Sequence, residues 1–438
     1  MIYLVGAGPG DPGLLTVRAE ELIESADIIF FDALVADEIL DIAKPGCRKI
    51  MVGKRQIEGS PYSINPPCRT VTKNVQGAQN QKSINQLLIQ THSDEPDQKI
   101  VRLKGGDPFI FGRGGEEACA LVDTGIPFEV VPGVSSAIAA PAYAGIPVTS
   151  RGLASEVTFI TGQNTWDESH PGVDYARLAK NPGTLVFLMG VSRINNICEG
   201  LLTGGMSKST PASVIQWGTC QNQMVVKSTL SDLVSDARKH EVGSPSIIVI
   251  GKVAALSEKL DWLQKRPLIG KRILVTRPKR KEKNTLESQI RNLGGFVVNL
   301  PTIDIQTLHG TEFKNKIAQI DNYTDILFTS RTAVRLFSKE LHSMGLDVRN
   351  LSKVQISVVC PGTKKELQKQ LSINADIMPD NFSSEGLIAA LGDISKRKFL
   401  FPCAVNSRDL LTNTLGDQID ALHLYEPNHS YSPRYRLL

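Results

Sequence analysis

Val101-Arg102-Leu103-Lys104-Gly105-Gly106-Asp107-Pro108-Phe109-Ile110-Phe111-Gly112-Arg113-Gly114-Gly115-Glu116-Glu117 is the stretch on which the reading of this chain turns. It leaves a strand, passes through a glycine-rich loop and enters a helix. Glu116 and Glu117 stand where carboxylates suit the positive end of a helix dipole. Paired glycines allow backbone amides and carbonyls to approach a ligand closely. As a packing device alone the string would be wasteful.

A second glycine loop, Gly6-Ala7-Gly8-Pro9-Gly10-Asp11-Pro12-Gly13, follows the apolar run Ile2–Val5. Beyond it Leu15, Ala19, Leu22 and Ile23 recur at helical spacing. Asp11 stands where a dinucleotide fingerprint would have its third glycine, and no Lys-Ser/Thr pair follows to make a phosphate-cradling loop. Alone, this segment reads as a tight strand-to-helix turn. Its two prolines make it a rigid loop over which a flat ligand could lie.

Outward from these loops, short apolar runs alternate with amphipathic stretches, the pattern of α/β architecture. Strands are expected at Ile28–Phe31, Ile100–Leu103, Phe128–Val131, Val157–Thr161, Leu185–Met189 and Ile247–Ile250. A charged stretch near Leu256–Gly270 breaks the alternation. It restarts with Arg272–Thr276, Phe296–Leu300, Ile326–Thr329, Val354–Val359 and Phe399–Phe401. The expected division is residues 1–150, 151–262 and 263–438, the first two being lobes joined by a hinge near Ala144–Arg151. Gln56–Gln81, polar and interrupted by Pro61, Pro66 and Pro67, reads as a long loop or insertion.

The chain of 438 residues is 41% hydrophobic and 21% charged, in the range of ordinary globular proteins. No run approaches the ~18 apolar residues of a membrane span. The seven cysteines form no C-x-x-C pair and the seven histidines no H-E-x-x-H, so neither a disulfide framework nor a metal site is expected. An apolar strand directly after Met1 leaves no room for a signal peptide, and the cytoplasm is the expected location. The net charge of +4 is unevenly spread. Residues 1–265 hold 24 Lys+Arg against 28 Asp+Glu (24 − 28 = −4), and residues 266–438 hold 25 against 17 (25 − 17 = +8). A basic second half suits an anionic partner, a polycarboxylate or a nucleic acid, or simply a solvated surface.

The two loops, together with Val131-Pro132-Gly133-Val134-Ser135-Ser136 and Tyr143-Ala144-Gly145-Ile146-Pro147-Val148-Thr149, resemble the uroporphyrinogen-III C-methyltransferase family over nearly all of residues 1–265. The resemblance implies a tetrapyrrole methylase fold: two α/β lobes with S-adenosylmethionine in the cleft between them, usually in a homodimer. It implies a cofactor site of Pro9, Gly105, Gly106, Asp107, Ile110, Ser135, Ser136, Met189 and Gly218. Ser135 and Ser136 stand where the family often has Thr-Ala. The implied activity is methylation of two pyrrole carbons of uroporphyrinogen III, through precorrin-1 to precorrin-2, feeding sirohaem or cobalamin synthesis, with no nucleic-acid or membrane partner.

Methyl transfer to carbon also needs proton movement. Asp32 follows the apolar strand Ile28–Phe31, where α/β folds place reactive groups, and apolar neighbours would make it a better proton acceptor. Without the resemblance, a lone Asp there is more often a turn cap and a lone Lys usually solvated. With it, the family's proposed base falls on Asp32 and its proton donor on Lys54. The stretch joining Lys54 to Gln81 is much longer than in the family and lacks its usual histidine. Uroporphyrinogen III carries eight carboxylates, which guanidinium groups grip bidentately. Arg113 and Arg151 match substrate-binding positions, with Glu116 nearby and Arg102 a weaker candidate.

Residues 266–438 resemble uroporphyrinogen-III synthase through Gly270–Pro278, Phe328-Thr329-Ser330, Phe401-Pro402 and Ser407-Arg408-Asp409-Leu410. Thr332-Ala333 replaces the family's usual Asn-Gly, and Cys403 stands where Arg is common. Leu424-Tyr425-Glu426-Pro427 resembles a crossing between that family's two lobes, after which the first lobe is normally completed. The module is therefore expected to be truncated and impaired. The rival readings are a methyltransferase of the same fold acting on a later corrin precursor or a protein side chain, and a non-catalytic tetrapyrrole-binding protein.

Overall fold

A computed structural model describes residues 1–52, 80–162, 172–277, 286–308, 311–407 and 409–429. Its described residues fall into two units, one of 1–273 with 286–297 and the other of 274–277 with 298–429.

The first unit opens with a sheet of five parallel strands: β1 (Ile2–Gly6), β2 (Ile28–Phe31), β3 (Arg48–Met51), β4 (Ile100–Lys104) and β5 (Phe128–Val131). They lie in the order β3-β2-β4-β1-β5. The helices are α1 (Val17–Ser25), the short α2 (Asp37–Leu40), α3 (Gln81–Asp94), α4 (Gly114–Asp123) and α5 (Ser136–Tyr143). The apolar stripe expected on α1 is present: Ala19, Leu22 and Ile23 bury against Val5, Ile29, Phe31 and Leu103. Leu15 lies before the helix and only packs at its edge. Ile84 and Leu88 of α3, with Ala118 and Leu121 of α4, cover the opposite face over Ile2, Leu4, Phe30 and Ile100. β1 and β4 are thus neighbours whose chains leave in opposite directions, the arrangement that opens a crevice at the carboxyl edge of a parallel sheet.

The second lobe of this unit is a mixed sheet, β6 (Val157–Thr161), β7 (Thr184–Leu188), β8 (Pro211–Gln216), β9 (Met224–Thr229) and β10 (Ser246–Ile250), ordered β6-β7-β10-β8-β9. Only the β6–β7 pair is parallel. Ala137, Ala140 and Ala144, in and just after α5, pack onto its inner face with Val186, Ile215 and Val249. The small side chains let α5 lie close to that sheet, so one helix joins the two lobes.

β11 (Arg272–Val275) and β12 (Phe296–Asn299) form a two-stranded sheet. The second unit holds β13 (Ile303–Thr307), β14 (Asp325–Phe328), β15 (Gln355–Val358), β16 (Phe399–Ala404) and β17 (Ile419–His429), ordered β13-β17-β16-β14-β15. All neighbours are parallel except β13 and β17.

Three strand ends of the first sheet meet with no room for side chains. A Cβ added at Gly133 would lie 2.2 Å from the carbonyl oxygen of Gly106, and one added at Gly6 would lie 2.5 Å from the backbone of Gly133. Both obstacles are backbone and cannot rotate away. Gly133→Ala should therefore lower unfolding stability by about 3 kcal/mol or more. Gly125→Ala, where only left-handed backbone opposes a Cβ and nothing stands within 4 Å, should cost about 1 kcal/mol. Urea denaturation of the two variants measures the difference; equal losses would contradict the packing account.

Candidate active site

The crevice is built by backbone before any side chain contributes. Past the ends of β1 and β4 the ladder continues through their loops: the Ala7 amide donates to the Lys104 carbonyl at 2.7 Å, and Gly8 and Gly106 exchange hydrogen bonds at 3.1 and 2.7 Å. The two glycine loops are thus one structure. Asp107 fastens them to a third. Its Oδ1 accepts from the amides of Phe109 (2.8 Å) and Ile110 (3.0 Å), and its Oδ2 from the amide of Gly133 (3.0 Å). Ser135 caps α5, its Oγ accepting from the Ala137 amide, and Ser136 opens that helix beside Gly106. Pro9, Gly105, Gly106, Ile110, Ser135 and Ser136 are therefore carried by loops tied to each other at one carboxyl edge.

Asp32 leaves β2 at the same edge, its amide donating to the Leu103 carbonyl at 3.3 Å. The apolar setting expected for it is not found. Arg102 Nη2 donates to Asp32 Oδ1 at 2.5 Å, and Lys104 Nζ stands 3.8 Å from Oδ2. Both cations project from β4, at positions i and i+2, where strand side chains share a face. Both are buried, whereas the Asp32 side chain is 32% exposed. Glu117 completes the group. It lies in the first turn of α4, as expected, but is wholly buried there, accepting from Arg102 Nε and Lys104 Nζ at 3.0 Å each. Burial opposes the charge on Arg102, but Asp32 and Glu117 outweigh it and raise its affinity for the proton. For Lys104, burial and then the neighbouring Arg102 win, and its pKa falls.

Arg113, in left-handed backbone at the N-cap of α4, makes a two-pronged ion pair with Glu116, both bonds 2.7 Å, with both side chains more than half exposed. The bond to Arg113 holds the Glu116 carboxyl below its ordinary range despite partial burial. Arg151 is exposed beside the Ser150–Ala154 bridge and is not brought into the Asp32 cluster. Met189 directly follows β7, with φ +56° and 41% exposure, a conformation costly for a long side chain and often kept for function. Gly218 packs on α5, where an added Cβ would lie 2.2 Å from Ala140 Cβ, so packing already explains its lack of a side chain. Lys54 and most of the Gln56–Gln81 insertion lie outside the described residues.

One network joins two of the quoted motifs to residues that no motif marks, Thr219 and Gln223. Asp11, on the first glycine loop, accepts from the Tyr143 hydroxyl at 2.6 Å, and its amide donates to Thr219 Oγ1 at 3.3 Å. Gln223 accepts from the Thr219 amide at 2.8 Å and donates to the Tyr143 carbonyl at 3.0 Å. Thr219 and Trp217 both have positive φ. This network fixes the first loop to the β8–β9 loop of the second lobe. Burial, followed by the bond to Asp11, raises the pKa of Tyr143 and keeps it a donor.

Known proteins match both parts of the chain. The family model "Tetrapyrrole (Corrin/Porphyrin) Methylases" matches residues 1–234, and "Uroporphyrinogen-III synthase HemD" matches residues 284–434. The porphyrin biosynthesis protein HemD of Ruminiclostridium josui is 37% identical over 434 residues, 98% of this chain and 82% of that protein. The uroporphyrinogen-III C-methyltransferase of Bacillus subtilis (strain 168) is 38% identical over 381 residues, 87% of this chain and 74% of that protein. The crystal structure of uroporphyrin III C-methyl transferase from Thermus thermophilus is 34% identical, covers 58% of this chain and 94% of its own, and superposes with a TM-score of 0.46. This chain belongs to the tetrapyrrole (corrin/porphyrin) methylases, enzymes whose methyl donor is S-adenosylmethionine, and carries a uroporphyrinogen-III-synthase-like module behind its methylase lobes.

Proposed function

We propose that this chain methylates two pyrrole carbons of uroporphyrinogen III, giving precorrin-2 by way of precorrin-1 for sirohaem or cobalamin synthesis, as a cytoplasmic homodimer. The observation that best supports this is Asp32: a partly exposed carboxylate, oriented by buried Arg102, beside the joined glycine loops.

The loop residues fit the cofactor. A Cβ added at Gly105 would meet only Leu34 Cβ, at 3.6 Å, so the end of β4 is bare where a bound molecule would lie. We assign Pro9, Gly106, Asp107, Ile110, Ser135 and Ser136 to the same site, with Met189 and Gly218 from the second lobe. S-adenosylmethionine, when bound, supplies an electrophilic methyl on a sulfonium. The protein's part is alignment, worth roughly 7–11 kcal/mol when reacting atoms are held in place, and proton movement. Asp32 takes the proton that the methylated pyrrole must lose, and Lys54 is the proton donor. Arg113 and Arg151 bind substrate carboxylates, Arg113 by exchanging Glu116 for a carboxylate of the same two-pronged geometry.

Asp32→Asn keeps the shape of the side chain and the bond to Arg102 while removing the acceptor. Purified protein given methyl-labelled S-adenosylmethionine and uroporphyrinogen III should transfer two methyl groups per macrocycle. In the variant turnover should fall by about 10²–10⁴ with binding of S-adenosylhomocysteine retained. Unchanged turnover would remove Asp32 from the mechanism.

For the synthase-like module we infer little ring-closing activity. Cys403, which stands where the synthase family commonly has Arg, is buried in an apolar cluster, so that position offers a substrate no cation. Hydroxymethylbilane given to the full chain should yield mostly the uninverted isomer I, which forms without an enzyme. Chromatography separates the isomers, and predominance of isomer III would show a working synthase.

A further inference from the structure

Glu117 is a carboxylate with no direct route to substrate. Its side chain has 0% exposure, yet a single oxygen, Oε1, accepts from Arg102 Nε, Lys104 Nζ and Gln81 Nε2, the last at 3.1 Å. Oε2 has no hydrogen-bond partner among the described residues. Burying such a group is costly, and packing alone would be served better by an apolar side chain. Arg102, Lys104, Asp32 and Glu117 sum to zero charge, and only Asp32 is open to solvent.

We propose that Glu117 and Lys104 are positioning residues for Asp32: Glu117 anchors both cations of β4, Arg102 then fixes Oδ1 of Asp32, and Lys104 stands against Oδ2. This rests on Asp32 being the base. Removing the charge of Glu117 leaves the group with an excess positive charge, and removing that of Lys104 an excess negative one. Removing both restores neutrality, with Arg102 still on Asp32.

The test uses the full chain, with kcat and KM measured for wild type, Glu117→Gln, Lys104→Met, Lys104→Arg and the Glu117→Gln/Lys104→Met double variant. The temperature is one at which circular dichroism shows each to be folded. Glu117→Gln and Lys104→Met should each lower kcat by roughly tenfold or more, with KM for S-adenosylmethionine within about twofold of wild type. Lys104→Arg should recover most of the loss seen in Lys104→Met. The double variant should lose much less than the product of the two single losses. Wild-type kcat in a folded single variant, multiplicative losses in the double, or a change confined to KM would each overturn the proposal. If Glu117→Gln does not fold, Lys104→Met against Lys104→Arg decides it: equal kcat in the two overturns it. A wild type that methylates while the variants are unaffected defeats this inference alone, whereas an inactive wild type defeats the reading beneath it.

Discussion

Gly6, Gly106 and Gly133 follow three neighbouring parallel strands so closely that neither Gly6 nor Gly133 has room for a side chain. That contact is a condition for everything built around it. Because the backbones touch, Gly8 and Gly106 can exchange hydrogen bonds, and Asp107 can reach the Gly133 amide. Two loops far apart in sequence become one platform at the carboxyl edge of the sheet. The same edge delivers Asp32 from β2, and α5, starting at Ser136, carries the platform onto the second lobe.

The electrostatic arrangement follows from that geometry. β4 is the central strand, so Arg102 and Lys104 on it cannot reach water and must be paired within the fold. Asp32 from β2 and Glu117 from α4 supply the partners. A buried group of this kind adds little net stability compared with apolar packing. It fixes direction, because the carboxylate of the group with access to solvent has its Oδ1 held by the buried Arg102, with Lys104 3.8 Å from its Oδ2. The Asp11–Tyr143–Thr219–Gln223 network does a comparable task for the first loop, tying it to both lobes.

Much of this was legible in the sequence, for physical reasons. Ile2–Val5, Ile28–Phe31 and Ile100–Leu103 are buried strands and read as apolar runs; each lies within about a residue of its expected bounds. β3, with Arg48 and Lys49, is an edge strand with one neighbour and too polar to stand out. β8, β9 and β17 were missed because their apolar residues are interrupted by Ser, Lys, Pro or His. The glycine loops stood out because backbone contact at Gly6 and Gly133 leaves room only for glycine. The charge cluster did not, because each member looks like an ordinary charged residue. A signal was present: two cations at i and i+2 in a strand that must be central require a carboxylate nearby. Asp32 was picked for its position, but its surroundings, two cations instead of apolar groups, could not be read from its own segment.

The central claim is that the cofactor lies on the platform where β1, β4 and β5 end. A crystal structure of the full chain with S-adenosylhomocysteine tests it most directly. The ligand is expected against Gly105 and Gly106, beside Ser135 and Ser136, with its sulfur toward Asp32. Density for the ligand on another edge of this sheet, or in the second unit, would contradict it.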